Sequence, residues 1–337
     1  MALGWLIAPS RFRTLLLGLA AGVAYGFLCM WLVNGSHRAV SVSYIFVLPM
    51  VLGAIPVLFS TREQLANYKT YLLAPWLIVF TLFYLSFVSG LEGTICLIII
   101  VGPFLILGGL GAFIMRLARL HGQPQTRLYV SLLVLLPFAA SLLENQLVAT
   151  DHMYTVVTTR DIAAPAAVVW PHIQSVRHIQ HAEIKPHFVH LIGVPRPLDG
   201  RLDSAAVGGI RHITWEKGLR FQERITHWQP GRGFAYDINV DAASIPPRTL
   251  DEHVVVGGRY FDVLRGSYLL TPLASNRCRV ELTCTYRVTT NLPAYSRLWA
   301  DFLLNDFNVM ILEVIQVRCE RAASARQMPM IVGALRP

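Results

Sequence analysis

The sequence predicts two parts: a membrane α-helical bundle of about five spans, then an α+β domain whose curved antiparallel sheet closes around a long C-terminal helix. Three observations carry this. The composition changes sharply near residue 150: the first 150 residues hold eight Lys or Arg and three Asp or Glu, and the rest hold 21 and 17. Several uncharged runs in the first part are long enough to cross a bilayer. The second part has short alternating patterns of strand type, followed by one long pattern of helical period. The expected domains are therefore residues 1–150, residues 151–325 and a C-terminal tail at 326–337.

In chain order, the predicted spans are residues 14–33, 40–59, 71–90, 93–115 and 128–149. The fifth is interrupted by Pro137 and carries Glu144, Asn145 and Gln146 near its end, where headgroup water would keep them hydrated. With five spans, Arg11, Arg13, Arg62, Lys69, Arg116, Arg119 and Arg127 fall on one side, and the opposite short loops hold only Arg38. Loop cations favour the cytoplasm, so the N-terminus is expected there and the second part outside, in the periplasm if this is a bacterial inner-membrane protein. Were the fifth run only interfacial, the second part would stay in the cytoplasm. Gly18, Gly22 and Gly26 form a small-residue stripe that lets a helix approach closely, either within the bundle or across a homo-oligomer. The first four runs contain no Asp, Glu, Lys or Arg, which argues against an ion or proton pathway. The net charge of +9 is dispersed and lacks the basic tract that a nucleic-acid partner would need.

In the second part, strand patterns are expected at residues 154–162, 208–215, 219–228, 234–240, 260–270 and 278–288, with a weaker one at 253–256. A short helix is expected over 166–175, and Val194-Pro195-Arg196-Pro197 is expected to be a turn or loop. A turn at Glu216, Lys217 and Gly218 pairs Trp215 with Leu219, Ile213 with Phe221 and Arg211 with Glu223 on one face. A second turn at Ala274, Ser275 and Asn276 pairs Leu270 with Val280, Tyr268 with Leu282, Gly266 with Cys284 and Leu264 with Tyr286. The final helix is expected from Asn291 to about Ala323, capped by Asn291 with Pro293 in its first turn. Its apolar positions are Tyr295, Leu298, Trp299, Phe302, Leu303, Val309, Met310, Val314 and Val317.

A curved sheet around one helix leaves a space lined by the sheet's inner face. The expected ligand-binding residues are Arg211, Ile213, Phe221, Glu223, Tyr260, Asp262, Tyr268, Tyr286, Trp299 and Phe302, with Ile225 and Leu282 also in the wall. Arg211 and Glu223 would contact a polar group on the ligand, or form a structural ion pair across the strands. Glu223 and Asp262 are the candidate acid–base groups if the domain is an enzyme, while the tyrosines equally suit a cavity wall. His172, His178, His181, His187 and His190 hold five of the 11 histidines. Of these, His178, His181, His187 and His190 make two His-x-x-His pairs, each of which on a helix would share one face and could bind zinc with Glu183, although with Pro186 between them both pairs need not lie on one helix; a solvated face or a pH-responsive surface is the alternative. No cofactor is expected, because Gly257-Gly258 lacks the spacing and following Lys of a phosphate loop. The loop 241–250, with Pro246 and Pro247, is a candidate lid. The cysteines form no disulfide framework, and no Ser or Cys has an evident base beside it.

Ile162-Ala163-Ala164-Pro165, Val168-Val169-Trp170, Trp228-Gln229-Pro230-Gly231, the stretch Gly266-Ser267-Tyr268-Leu269-Leu270-Thr271-Pro272-Leu273 and the closing helix together resemble the START-like helix-grip superfamily. The resemblance covers about residues 154–324 and is strongest to the branch labelled polyketide cyclase/dehydrase and lipid transport. It implies a cavity for a lipid or other hydrophobic small molecule, with carriers, ligand sensors and cyclases all within the superfamily and no shared catalytic set. The expected function is membrane-tethered binding or transfer of such a ligand. The alternatives are a cyclase/dehydrase-type enzyme and a sensor signalling through the bundle.

Overall fold

The computed structural model describes residues 9–34, 42–121, 126–144, 149–240, 245, 255–274 and 276–333. The chain divides into two compact units: Met1–Thr150 with Thr290–Leu292, and Asp151–Thr289 with Pro293–Pro337.

The first unit is helical: α1 (Pro9–Asn34), a π-helical turn (Ser43–Val47) running into α2 (Leu48–Phe59), α3 (Arg62–Ala66), α4 (Tyr68–Ser89), α5 (Thr94–Leu120) and α6 (Thr126–Glu144). Three described stretches, Phe12–Leu32, Tyr71–Ser89 and Thr94–Leu120, are long and apolar enough to cross a membrane. A count of about five spans is not supported. The described part of the second run, Ser43–Phe59, reaches roughly 25 Å at 1.5 Å per residue, short of a hydrocarbon core of about 30 Å.

The far end of the fifth run also differs from expectation. Glu144 is buried and accepts hydrogen bonds from Val42 N (2.7 Å), Ser43 N (3.1 Å) and Ser43 Oγ (2.8 Å). It therefore satisfies the free amides at the start of the second helical stretch instead of sitting in headgroup water. Asn145 and Gln146 lie outside the described residues. At the other end of α2, Arg119 Nη1 donates to the carbonyls of Val57 (2.6 Å), Leu58 (2.8 Å) and Ser60 (2.8 Å), satisfying acceptors that the helix leaves open.

The glycine stripe is used inside the bundle. A Cβ at Gly18 would lie 3.0 Å from the Pro56 backbone, and one at Gly26 would lie 2.7 Å from Leu82. The face considered for a homo-oligomer is covered by α2 and α4 of the same chain.

The second unit is a seven-stranded antiparallel sheet in the order β1-β7-β6-β5-β4-β3-β2. Its strands are β1 (Thr150–Ile162), β2 (Pro197–Leu202), β3 (Ile210–Trp215), β4 (Arg220–Gln229), β5 (Gly233–Asn239), β6 (Phe261–Ala274) and β7 (Arg277–Thr290). Helices α7 (Ala166–Gln174) and α8 (Phe188–Leu191) precede β2, and α9 (Pro293–Gly333) closes the chain. Apolar side chains of α7, the sheet and α9 form one core, including Val169, Ile225, Phe234, Val280, Leu312 and Ile315. Alternation sends these residues to one face, and the opposite face carries ion pairs such as Arg279–Asp161 at 2.6 Å.

The first hairpin has the expected register, with Arg211 opposite Glu223 and Ile213 opposite Phe221. Its turn needs Lys217 in the left-handed region (φ 55) before Gly218 (φ 77). In the second hairpin Leu270–Val280, Tyr268–Leu282 and Gly266–Cys284 pair as expected, but Tyr286 lies opposite Val263 and not Leu264. A β-bulge between Val263 and Arg265 inserts the extra residue, and a second irregularity lies between Ile225 and His227. Bulges of this kind bend and twist a sheet, which suits closure on a helix.

Three expectations for this unit change, and a fourth falls almost wholly outside the described residues. Pro197–Leu202 is a strand and not part of a loop, held by pairing with β3 despite a sequence poor in β-formers. Val255 and Val256 lie at a turn, with His253 and Val254 outside the described residues. The candidate lid at 241–250 also lies outside them, except Ile245. Helix α9 continues to Gly333, through most of the expected tail, because its first glycine stop is at that position.

Candidate functional site

The inner face of β3–β7 and one stripe of α9 enclose a cavity of about 120 Å³. The α9 stripe is Leu304, Phe307, Asn308 and Ile311, whose three-and-four spacing points one face of the helix at the sheet. The segment 176–200 adds Val176, Ile179, Pro197, Asp199 and Gly200 to the wall. The size approaches that of the roughly 150 Å³ apolar cavity known to admit benzene, enough for a ring or a short length of chain.

Of the residues expected to bind ligand, Arg211, Ile213, Phe221, Glu223 and Tyr268 line this cavity, as does Leu282. Alternation on β3, β4, β6 and β7 places them there, since each shares the inner face with its cross-strand partner.

The other five do not line it. Tyr286 is fully buried in a separate cluster with Val156, Val263 and Val288, and its hydroxyl donates to Asp301 Oδ1 at 2.6 Å. Asp262 accepts from Gly257 N at 2.7 Å, which fixes the turn before β6. Tyr260 lies beneath Arg259, whose guanidinium carbon is 5.7 Å from the ring centre. Trp299 and Phe302 pack on each other at 6.1 Å, on a face of α9 away from the cavity stripe. The reason is rotational: the helical face assumed from Leu298 and Phe302 is turned away from the sheet, and Leu304–Phe307–Asn308–Ile311 takes its place. Ile225 belongs to the core beneath the cavity.

Arg211 and Glu223 are 4% and 6% exposed, and Arg211 Nη1 donates to Glu223 Oε2 at 2.8 Å. The guanidinium lies over the rings of Tyr268 (5.6 Å) and Tyr236 (5.9 Å). Arg211 Nε has no hydrogen-bond partner among the described residues. A buried donor left open costs free energy, which a ligand oxygen would recover. Burial lowers the preference of Arg211 for charge, but Glu223, Tyr268 and Tyr236 outweigh it and hold the guanidinium protonated. Burial pushes the Glu223 carboxyl up against the opposing pull of Arg211. The Tyr236 and Tyr268 phenols are also pushed up by burial, and the Cys284 thiol to about 12, so these groups are neutral near pH 7.

Tyr236, Trp215, Phe307 and Asn308 were missed by the sequence reading. A signal existed for the first, because Phe234, Tyr236 and Ile238 alternate along β5 opposite the inner residues of β4.

The histidines are dispersed. His187 Nδ1 faces Asp306 Oδ1 at 3.0 Å, His181 Nε2 faces Glu216 Oε1 at 3.2 Å and His190 Nδ1 faces the Val194 carbonyl at 3.0 Å. His178 sits at positive φ, and Glu183 is taken by Arg318 at 2.6 Å. Among the described residues, no group of three or more His, Cys, Asp or Glu is gathered to hold a metal.

Comparison with known families adds one finding. Residues 153–303 match the family model described as Polyketide cyclase / dehydrase and lipid transport. The match supports the helix-grip domain and fits a domain that binds hydrophobic ligands. No curated protein matches.

Several solved structures are similar to about half of the chain. A norcoclaurine synthase point mutant from Thalictrum flavum has 12% identity and a TM-score of 0.33, covering 51% of this chain and 98% of that one. The Zhui aromatase/cyclase from Streptomyces sp. R1128 has 17% identity and a TM-score of 0.33, covering 52% and 98%. A protein from Thermus thermophilus has 16% identity and a TM-score of 0.33, covering 50% and 99%.

Proposed function

We propose that this chain is a membrane-tethered binding or transfer protein for a lipid or other hydrophobic small molecule held in the helix-grip cavity. The observation that carries the reading is an apolar cavity with one open, buried charged donor, Arg211 Nε, at its wall. Apolar walls supply affinity at about 0.8 kcal/mol per buried methylene, and the guanidinium orients a ligand oxygen. The three long apolar helices would anchor the chain; the N-terminus is cytoplasmic and the domain on the far side of a bacterial inner membrane if the second and fifth apolar runs also cross, which puts Arg62, Lys69, Arg116, Arg119 and Arg127 on the N-terminal side. Reporter fusions at residue 150 and at the C-terminus test that orientation; cytoplasmic activity at both defeats it.

The binding test is native mass spectrometry with lipid extraction on the full-length protein and on Leu282→Trp, which fills the cavity. A stoichiometric ligand on the parent that is lost from the variant supports the reading. Equal lipid on both means annular lipid and defeats it.

A second reading, a cyclase/dehydrase-type enzyme, is favoured by Glu223, a cavity-lining carboxyl pushed up by burial and able to exchange a proton. Asp262 is less suited, because it lies outside the cavity wall. Turnover lost in Glu223→Gln with binding retained would favour the enzyme over the carrier.

A further inference from the structure

The first turns of α9 and the tip of α8 carry an uncovered apolar face. Leu298 is 66% exposed, Phe302 48% and Leu191 75%. Phe302 packs edge-on against Phe188 at 5.3 Å and against Trp299 at 6.1 Å, so the face runs from one helix onto the other. Contiguous exposed apolar surface marks an interaction site.

Its occupant follows from where this face lies in the domain. β1 opens at Thr150, soon after the apolar helix α6 ends at Glu144, and the connecting chain spans at most roughly 20 Å. The opening of β1 is fastened to the end of β7, where Thr289 Oγ1 donates to Asp151 Oδ1 at 2.6 Å. Arg297, in the first turns of α9, lies over the Tyr154 ring at 4.9 Å. The start of α9 is therefore at the same end of the domain as its attachment to α6.

That end also carries Tyr260 beneath Arg259 at 5.7 Å, beside Phe261. Aromatic rings with a polar edge, flanked by arginines, are the composition of a membrane–water interface, where guanidinium groups reach the headgroup phosphates.

We propose that the Leu298–Phe302–Leu191 face rests in the headgroup–acyl boundary of the bilayer that anchors the chain, with lipid and not a second protein copy as its occupant. The proposal builds on the tethered reading above and adds a route. Leu304 and Phe307, two and five residues beyond Phe302 on α9, line the cavity, so a ligand entering along α9 from this face would reach the cavity wall. An apolar ligand crossing there avoids bulk water.

The test uses the full chain in proteoliposomes, with Leu298→Cys, Phe302→Cys or Leu191→Cys carrying an environment-sensitive fluorophore. The native cysteines are all buried, so labelling is confined to the new site. Ser324→Cys, roughly 39 Å further along α9 at 1.5 Å per residue, is the control. Blue-shifted emission, with loss of more than half the intensity on adding shallow spin-labelled lipid, is expected at the three face positions and not at the control. Water-like, unquenched emission at all three overturns the proposal. So does self-quenching that rises with protein density, which would place a second copy on the face. Alkaline carbonate washing separates the two readings: a released chain defeats the tether itself, whereas a retained chain with wet probes defeats only the docking face.

Discussion

The buried Arg211–Glu223 pair gives the most direct test of how the cavity is built. Replacing Arg211 with Met keeps an unbranched apolar stem, removes the guanidinium and leaves the Glu223 carboxylate, 6% exposed in the parent, unpaired. Breaking one partner of such a pair costs roughly 3–5 kcal/mol, because a charge stays in a medium that cannot solvate it. Burial already pushes the Glu223 carboxyl up with Arg211 present, so part of that cost will be relieved by protonation at the lower end of the pH range. Replacing both, Arg211→Met with Glu223→Leu, removes both charges, and such exchanges are neutral or stabilising by about 1–4 kcal/mol. The pair thus predicts a coupling of at least about 3 kcal/mol in a double-mutant cycle. Hydrogen exchange of β3 and β4 amides in the full-length protein reads this locally, free of the membrane unit's own unfolding. A single-variant loss below about 1 kcal/mol, or a double variant as unstable as the single one, would refute a desolvated pair. Either result would also weaken the assignment of Arg211 as the residue that orients a ligand.

Other outcomes follow from specific contacts. Tyr286→Phe should cost about 1 kcal/mol through the lost Asp301 hydrogen bond and leave ligand stoichiometry unchanged, since Tyr286 lies outside the cavity wall; native mass spectrometry and thermal unfolding check the two halves. In the membrane unit, Gly53→Leu should lower the detergent melting temperature through overpacking of about 1–3 kcal/mol or more, because a Cβ there meets the Gly108 backbone, while Gly102→Ala, with open space around it, should be tolerated. Arg318 hydrogen bonds hold the Glu183 carboxyl below its usual range, so its contribution is full above the unfolded value of 4.5 and fades as pH falls through the lower folded value. The melting temperature of the domain should therefore drop on acidification below about pH 4.5, and Glu183→Gln should flatten part of that drop; an unchanged slope would reject the linkage.

The sequence by itself determined what depends on neighbours along the chain. Hairpin partners such as Arg211–Glu223 and Tyr268–Leu282 were legible because a short turn and a period of two leave one register that buries the apolar face. The change at residue 150 was legible because spans long enough for a bilayer must shed charge. Tertiary structure decided what depends on distant surfaces. The stripe of α9 that meets the sheet is Leu304, Phe307, Asn308 and Ile311, although Leu298 and Phe302 are as apolar, because a helix with apolar residues on several sides takes its rotation from the partner it packs on. The Val263–Arg265 bulge moved Tyr286 opposite Val263, and packing with Val156 and Val288 put it in a separate core. β2 formed because β3 offered it a paired edge, which its own residues do not announce. Glu144, a polar residue at the end of an apolar run, found the open amides of Val42 and Ser43, about a hundred residues earlier, a pairing that no local pattern encodes.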